Sequence, residues 1–515
     1  MGKLVELEPT LPLPIYLADA ILSPEASNAR FPSLIDATLE DLSGGLKKGC
    51  FKSTDLVKAY LARINQVNDQ LHAVTEVNPD ALAIAASLDE ERAKNRIRGP
   101  LHGIPILLKN NIATMDKMNN TAGSQETPGS WRHFTRENYS QSMVVVSRQQ
   151  HKQWLDPQGS SSGSAVATDL GLAWAAIGTE TVGSILAPSH RSGIVGIKPT
   201  VGLTSRDLVI PISERQDSVG SMARTVRDAA YILQAIAGSD PRDTYTSAIP
   251  NVPNYLDALN GKGLKRARIG VPWNAINLTI EGSEAKLSPE LDAFKKALEV
   301  LTEAGATVVE TDFSMAQEIL LAPQHTRYAD FPANLAAYLA ELTSSPSNVH
   351  TLADVREWTR NSPLEEYPDR NTRIWDHILD AKKPRSNTSK GFLKWHQKSL
   401  KLAGPGGLLG ALDRDDLNAV VMPTISAPFW ASTIGAPGIT VPMGNYLETA
   451  PVYRDAPRKL VDTGPSVPFG LTFLGRQWSE AQLIGLAYDF EQRTRVRGRV
   501  RPKVVPSAEL NTAVC

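Results

Sequence analysis

Apolar residues recur along the chain at two spacings, and the spacing changes from segment to segment. Between Thr38 and Asn95 they fall three and four apart. Val57, Tyr60, Leu61 and Ile64 make one face of a helix that Ser53 or Thr54 can cap. A second helix is predicted to open at Asn78 and Pro79 and run through Leu82, Ile84, Ala85 and Leu88. Ile104 to Leu108 is a short apolar run among Gly103, Pro105 and Asn110; it predicts a buried strand that ends on Lys109. Ala165 to Ile177 and Ile194 to Ile197 are also stretches that a core would bury. Downstream, Arg268 to Pro272 predicts a strand, Ser288 to Ala304 a helix stopped by Gly305, and Ala306 to Glu310 the next strand. Ala419 to Met422, Gly438 to Val441 and Gly470 to Leu474 repeat the short-strand pattern, and Ser479 to Arg493 is a closing amphipathic helix.

Strands alternating with helices predict an α/β protein, a single large domain with a mostly parallel mixed sheet flanked by helices. Residues 1–40 read as an N-terminal extension, 41–500 as the domain and 501–515 as a C-terminal tail. Within the domain, 100–240 is the core with the catalytic segment. The stretch 315–400, rich in Trp, Tyr and charge, is a helical cap-like region.

Composition narrows the function. A hydrophobic share of 42% with 21% charged residues is that of a folded globular protein, so disorder is not expected. A net charge of −1 supplies no field for nucleic acid or an anionic membrane, and a small neutral substrate suits it better. No run reaches the roughly 18 to 20 apolar residues that span a bilayer. Pro12, Pro14 and Asp19 interrupt the only apolar patch near the start, so no signal peptide is read there. Cys50 and Cys515 cannot form a disulfide framework, which points to a reducing interior. A soluble cytoplasmic protein is expected, monomeric or homodimeric, with no nucleic-acid or membrane partner.

The candidate chemistry lies in Gly159 to Thr200, GSSSGSAVATDLGLAWAAIGTETVGSILAPSHRSGIVGIKPT. A flexible Gly/Ser linker lacks apolar content, whereas these serines border segments that a core would bury. Taken with LHGIPILLKNNI around Lys109, the stretch resembles the amidase signature family, and the resemblance extends over roughly Leu42 to Arg493. It implies the amidase signature fold and an amidase acting on a small carboxamide or acyl amide, with no metal or cofactor. In that family the nucleophile is the serine of the turn GTETVGSIL, here Ser184. The relay is the first serine of the Gly-Ser-Ser run, here Ser160, preceded by a cis peptide bond, and the base is the strand-end lysine, here Lys109. The 24 residues between Ser160 and Ser184 agree with the family's arrangement. Thr181, Val182 and Gly183 would supply backbone N–H groups to an oxyanion, and Thr179 would support the network.

An amide is a poor electrophile with a poor leaving group, so its attacker must be activated and its leaving nitrogen protonated. Neutral Lys109 serves both ends of that relay, because burial disfavours the charged amine. Val182 stands where the family carries Gly or Asp. The interval from Lys109 to Ser160 is shorter than the family's by about a helix and a strand, and Asp169 interrupts an apolar helix. These departures keep two alternatives open: an acyl transferase or tailoring enzyme of the same fold, and a catalytically impaired binding protein. Gly159 to Gly163 also fits a G-x-S-x-G nucleophile elbow, but the preceding RQQHKQWLDPQ is polar and not a buried strand. None of the nine histidines has metal-ligand spacing.

Overall fold

The computed structural model describes residues 31–118, 144–145, 154–321, 326–343, 345, 347–365, 367–368, 371–380, 386–454, 460–499 and 501–510. Nine strands make its main sheet: β1 (Leu107–Leu108), β2 (Ala175–Glu180), β3 (Val195–Lys198), β4 (Ser218–Ala223), β5 (Arg268–Pro272), β6 (Thr307–Thr311), β7 (Ala419–Pro423), β8 (Gly438–Asn445) and β9 (Pro468–Leu474). Their order across the sheet is β1-β2-β4-β3-β8-β9-β7-β5-β6. A second sheet joins four short strands, Val144–Val145, Trp154–Leu155, Tyr453–Arg454 and Val461–Thr463.

This is one α/β domain with a large mixed sheet flanked by helices. Parallel pairing holds at the two ends of the sheet, β1 with β2, and β5 with both β6 and β7. Across the centre β2, β4, β3, β8, β9 and β7 pair antiparallel in turn. The physical reason lies in the connections. Among the described residues no helix lies between β3 and β4 or between β8 and β9, so the chain is not carried back to its starting edge and reverses direction.

The strands β2, β3 and β7 are buried at every position, the polar ends Thr179, Glu180 and Lys198 included. β1 departs from the buried strand expected of Ile104 to Leu108. It is a two-residue edge strand, and Ile106 and Leu108 are each 37% exposed. Two helices also start away from their predicted residues. The first of these opens at Ala81, because Asn78 Oδ1 accepts from Asp80 N and makes a turn there in place of a cap. The other begins at Glu284 and carries Pro289 inside it. Helix Ser53–Leu71 forms, but Ser53 and Thr54 lie inside it and do not cap it: Lys52 is the N-cap, and Asp89 accepts from Ser53 N and Thr54 N in the first turn.

Helices Thr326–Glu341, Leu352–Asn361 and Arg373–Ile378 share a separate apolar cluster, with Phe331, Leu335, Leu352, Val355 and Trp375 buried in it. Ile210, from the loop between β3 and β4, is buried in the same cluster. Near the ends, Leu34, Ala37 and Leu39 belong to the main core, and buried Arg63 pairs with Glu509. Asp169, the charge inside the serine helix, accepts from Arg497 at 2.8 Å, which ties that helix to the C-terminal segment. Cys50 is disulfide-bonded, so the cysteines give no argument for a reducing compartment. Among the described residues no helix is long and apolar enough to cross a membrane. The signal-peptide reading at the start lies outside them.

Candidate active site

Lys109 is placed by strand pairing. It follows β1, and its backbone N–H donates to Ile177 O of β2 at 3.0 Å, which sets its side chain against Thr179 two residues further along. Nζ donates to Ser160 Oγ at 2.5 Å, to Thr179 Oγ1 at 2.8 Å and to Thr179 O at 3.3 Å. Asn111 Nδ2 donates to the same threonine hydroxyl at 3.1 Å and fixes its remaining lone pair. Lys109 is only 7% exposed. Burial lowers its pKa to about 7, against the opposing pull of the Asp217 and Glu180 carboxylates. A neutral amine keeps two N–H groups and one lone pair. When the amine is neutral its two N–H groups stay on Thr179, and the donation to Ser160 Oγ gives way to a lone pair that accepts from that hydroxyl.

Ser160 enters the site through a tight turn. Gln158 and Gly159 both take left-handed backbone (φ 48° and 59°), and a Cβ on Gly159 would lie 2.5 Å from Pro188 Cδ. This turn replaces the cis peptide implied by the resemblance. Among the described residues the cis bond is Tyr367–Pro368, and those around Ser160 are trans. Ser161 then clasps β2: its Oγ donates to Thr179 O at 3.0 Å and accepts from Thr179 N at 3.2 Å. Its own N–H donates to Ser184 O at 3.2 Å. Helix Ser162–Asp169, buried along nearly its whole length, holds the run in place.

β2 ends at Glu180, and the next four residues form the second turn. Buried Glu180 accepts from Ile185 N at 2.7 Å and Leu186 N at 3.0 Å, so one carboxylate oxygen satisfies the start of helix Leu186–Arg191. Thr181 Oγ1 donates to Asp217 Oδ1 at 2.5 Å. Val182 keeps a negative φ, so its β-branch fits the turn; the left-handed residue is Gly183 (φ 77°). Among the described residues, the N–H groups of Val182, Gly183 and Ser184 have no acceptor. Three successive unclaimed donors around a left-handed residue form a concavity suited to an oxyanion.

The structure therefore brings Lys109, Ser160 and Thr179 into direct contact and joins Ser161 to Ser184 through backbone. Ser184 Oγ makes no hydrogen bond to Ser160 in this conformation; catalytic bonds of this kind often tighten only around substrate. A cleft of about 100 Å³ opens onto Lys109 and Ser160 between residues 72–76 and 107–112. Most of the shortened Lys109 to Ser160 interval lies outside the described residues. Sequence reasoning assigned no role to Asn111, Ser161, Glu180 or Asp217. The available signal was position for Glu180 and Asp217, polar side chains at the ends of buried strands, while Asn111 lies just beyond β1 and Ser161 at the start of helix Ser162–Asp169. His190 is buried and neutral in the core, its pKa held well below the usual imidazole value by burial, with Nδ1 accepting from Gly470 N. Among the described residues no cluster of acids, histidines or cysteines could hold a metal.

A family profile described as Amidase matches residues 55–134 and 140–484. The chain belongs to the amidase family. An amidase-named relative from Arthroderma benhamiae is 44% identical over 548 residues, covering 96% of this chain and 91% of its own. The peptide amidase from Stenotrophomonas maltophilia is 32% identical with a TM-score of 0.72, covering 94% of this chain and 100% of that one. The A subunit of glutamyl-tRNA(Gln) amidotransferase from Chloroflexus aurantiacus is 30% identical, with 91% and 98% covered. Amidase membership assigns the chain to hydrolases of carbon–nitrogen bonds.

Proposed function

We propose that this amidase hydrolyses a small carboxamide or acyl amide through an acyl-Ser184 intermediate. The observation that carries the reading is the 2.5 Å contact between buried Lys109 Nζ and Ser160 Oγ, beside the unclaimed N–H groups of Val182 to Ser184. Ser184 Oγ attacks the carbonyl carbon while its proton passes to Ser160 Oγ, and the Ser160 proton passes to Lys109 Nζ. The carbonyl electrons move to oxygen, where the turn's N–H groups stabilise the charge. Collapse breaks the carbon–nitrogen bond, and the proton returns through Ser160 to the leaving nitrogen. Water then repeats the sequence on the acyl-serine and releases the acid.

Acyl transfer is the second reading, favoured by the similarity to an amidotransferase subunit. There an amine takes the place of water at the last step, and the residues keep their roles. The impaired-protein alternative is weakened by the assembled Lys109–Ser160 pair and by a Val182 that fits its turn. Turnover of a carboxamide panel, with and without hydroxylamine, separates the readings. Acid as the main product supports hydrolysis, and hydroxamate with suppressed acid supports transfer. A folded protein that neither turns over nor acylates at Ser184 contradicts both.

A further inference from the structure

The loop from 199 to 217 touches the oxyanion turn on one side and the helical region on the other. Asp217 uses its two oxygens in two directions. Oδ1 accepts from Thr181 Oγ1 at 2.5 Å, and Oδ2 accepts from Ile212 N at 2.7 Å and Ser213 N at 2.9 Å. Ser213, fully buried, donates through Oγ to Asp330 Oδ2 of helix Thr326–Glu341 at 2.6 Å. Arg215 pairs with the other oxygen of Asp330 and lies over the Phe392 ring at 5.5 Å. Ile210 anchors the same loop among Phe331, Leu335 and Trp375.

We propose that Asp217 is a positioning residue for the oxyanion turn, and that Ser213 and Asp330 make the helical region a brace that holds Asp217 in place. This rests on the acyl-serine reading above. A hydrogen-bond donor helps an oxyanion only if it is fixed before the charge appears. Thr181 begins the turn that bears the three unclaimed N–H groups, so its hydroxyl bond to Asp217 limits how far they can swing. The links from Thr181 to Asp330 are short hydrogen bonds between buried or half-buried groups, and the two side-chain links at its ends, Thr181 to Asp217 and Ser213 to Asp330, can each be cut without changing the shape of the side chain much. Asp217 has a further effect on the base. The charged groups facing Lys109 are the carboxylates of Asp217 and Glu180, and both favour its protonated form.

The rate of fluorophosphonate labelling at Ser184, followed by intact mass across pH, tests the chain without knowledge of the substrate. Thr181→Val, nearly isosteric, is expected to label about 10- to 100-fold more slowly, less than the roughly 100- to 1000-fold cost of removing an oxyanion donor outright because the donors are loosened and not lost, and Thr181→Ser to recover most of that rate. Asp217→Asn is expected to label slowly and also to shift the acid limb of the profile to lower pH, because a carboxylate that holds the proton on Lys109 is gone. Asp330→Asn and Ser213→Ala are expected to slow labelling with the limb unmoved. Thr181→Val and Asp217→Asn proteins that label like the parent, while Lys109→Ala does not label, overturn the brace and leave the serine reading intact. A Lys109→Ala protein that labels like the parent removes both. If Asp217→Asn does not fold, the Thr181→Val and Thr181→Ser pair decides.

Discussion

Lys109 sits where a charge is costly and where every neighbour within bonding reach is an oxygen. Its usefulness depends on losing its proton near neutrality. With the pKa lowered to about 7 by burial, the neutral base is present above that pH and lost below it, so kcat/KM is predicted to rise through about pH 7 and then level. A profile flat from pH 5 to 9 would contradict the assignment. Gly183 is the second sensitive residue. At φ 77° a side chain is strained by roughly 1–2 kcal/mol, and Gly183→Ala is predicted to reduce kcat far more than it lowers the melting temperature. The residues that touch in the Lys109–Ser160–Thr179 contact were legible because they stand in motifs. Asn111 and Asp217 were not. A lone polar residue at a strand end reads as solvated until the fold closes over it.

Elements that pack on two sides announced themselves: β5, β7 and β9 are near-continuous apolar runs in the sequence. β1 misled because an edge strand buries one side only, and strand direction was hidden because it depends on what the loops carry. Glu180 shows what an element end needs. Glu180→Ala leaves the N–H groups of Ile185 and Leu186 without their acceptor, predicting a loss of about 1–3 kcal/mol in a denaturant melt, with Glu180→Gln losing less. Helix Glu284–Glu303 carries the clearest pH signal. Burial pushes Glu290 up to about 7, and neither of its oxygens has a partner among the described residues. The folded state therefore holds a proton that the unfolded chain releases near pH 4.5. The associated stability, about 3 kcal/mol, is fully present below that pH and lost as pH rises through about 7. Glu290→Gln should flatten that part of the stability–pH curve. An unchanged slope in the variant would show that another group causes it.

At the scale of the molecule, a net charge of −1 means that no overall field draws substrate in. For an uncharged amide, kcat/KM should change less than about twofold across the salt range that screens surface charge; a steep salt dependence would point to a charged substrate instead. The α/β class was legible because strands alternate with helices along the sequence, whereas the order and direction of the strands in the sheet were not. The brace from the helical region to the oxyanion turn was not, since it joins Thr181 to Asp330 across 149 positions by side-chain bonds that no local pattern encodes. The central claim is that Lys109 activates Ser184 through Ser160. Peptide mapping after fluorophosphonate treatment of the parent and Lys109→Ala proteins tests it most directly. The account predicts a label on Ser184 in the parent and none in the folded variant. A label on another residue, or equal labelling of Ser184 in both proteins, would contradict it.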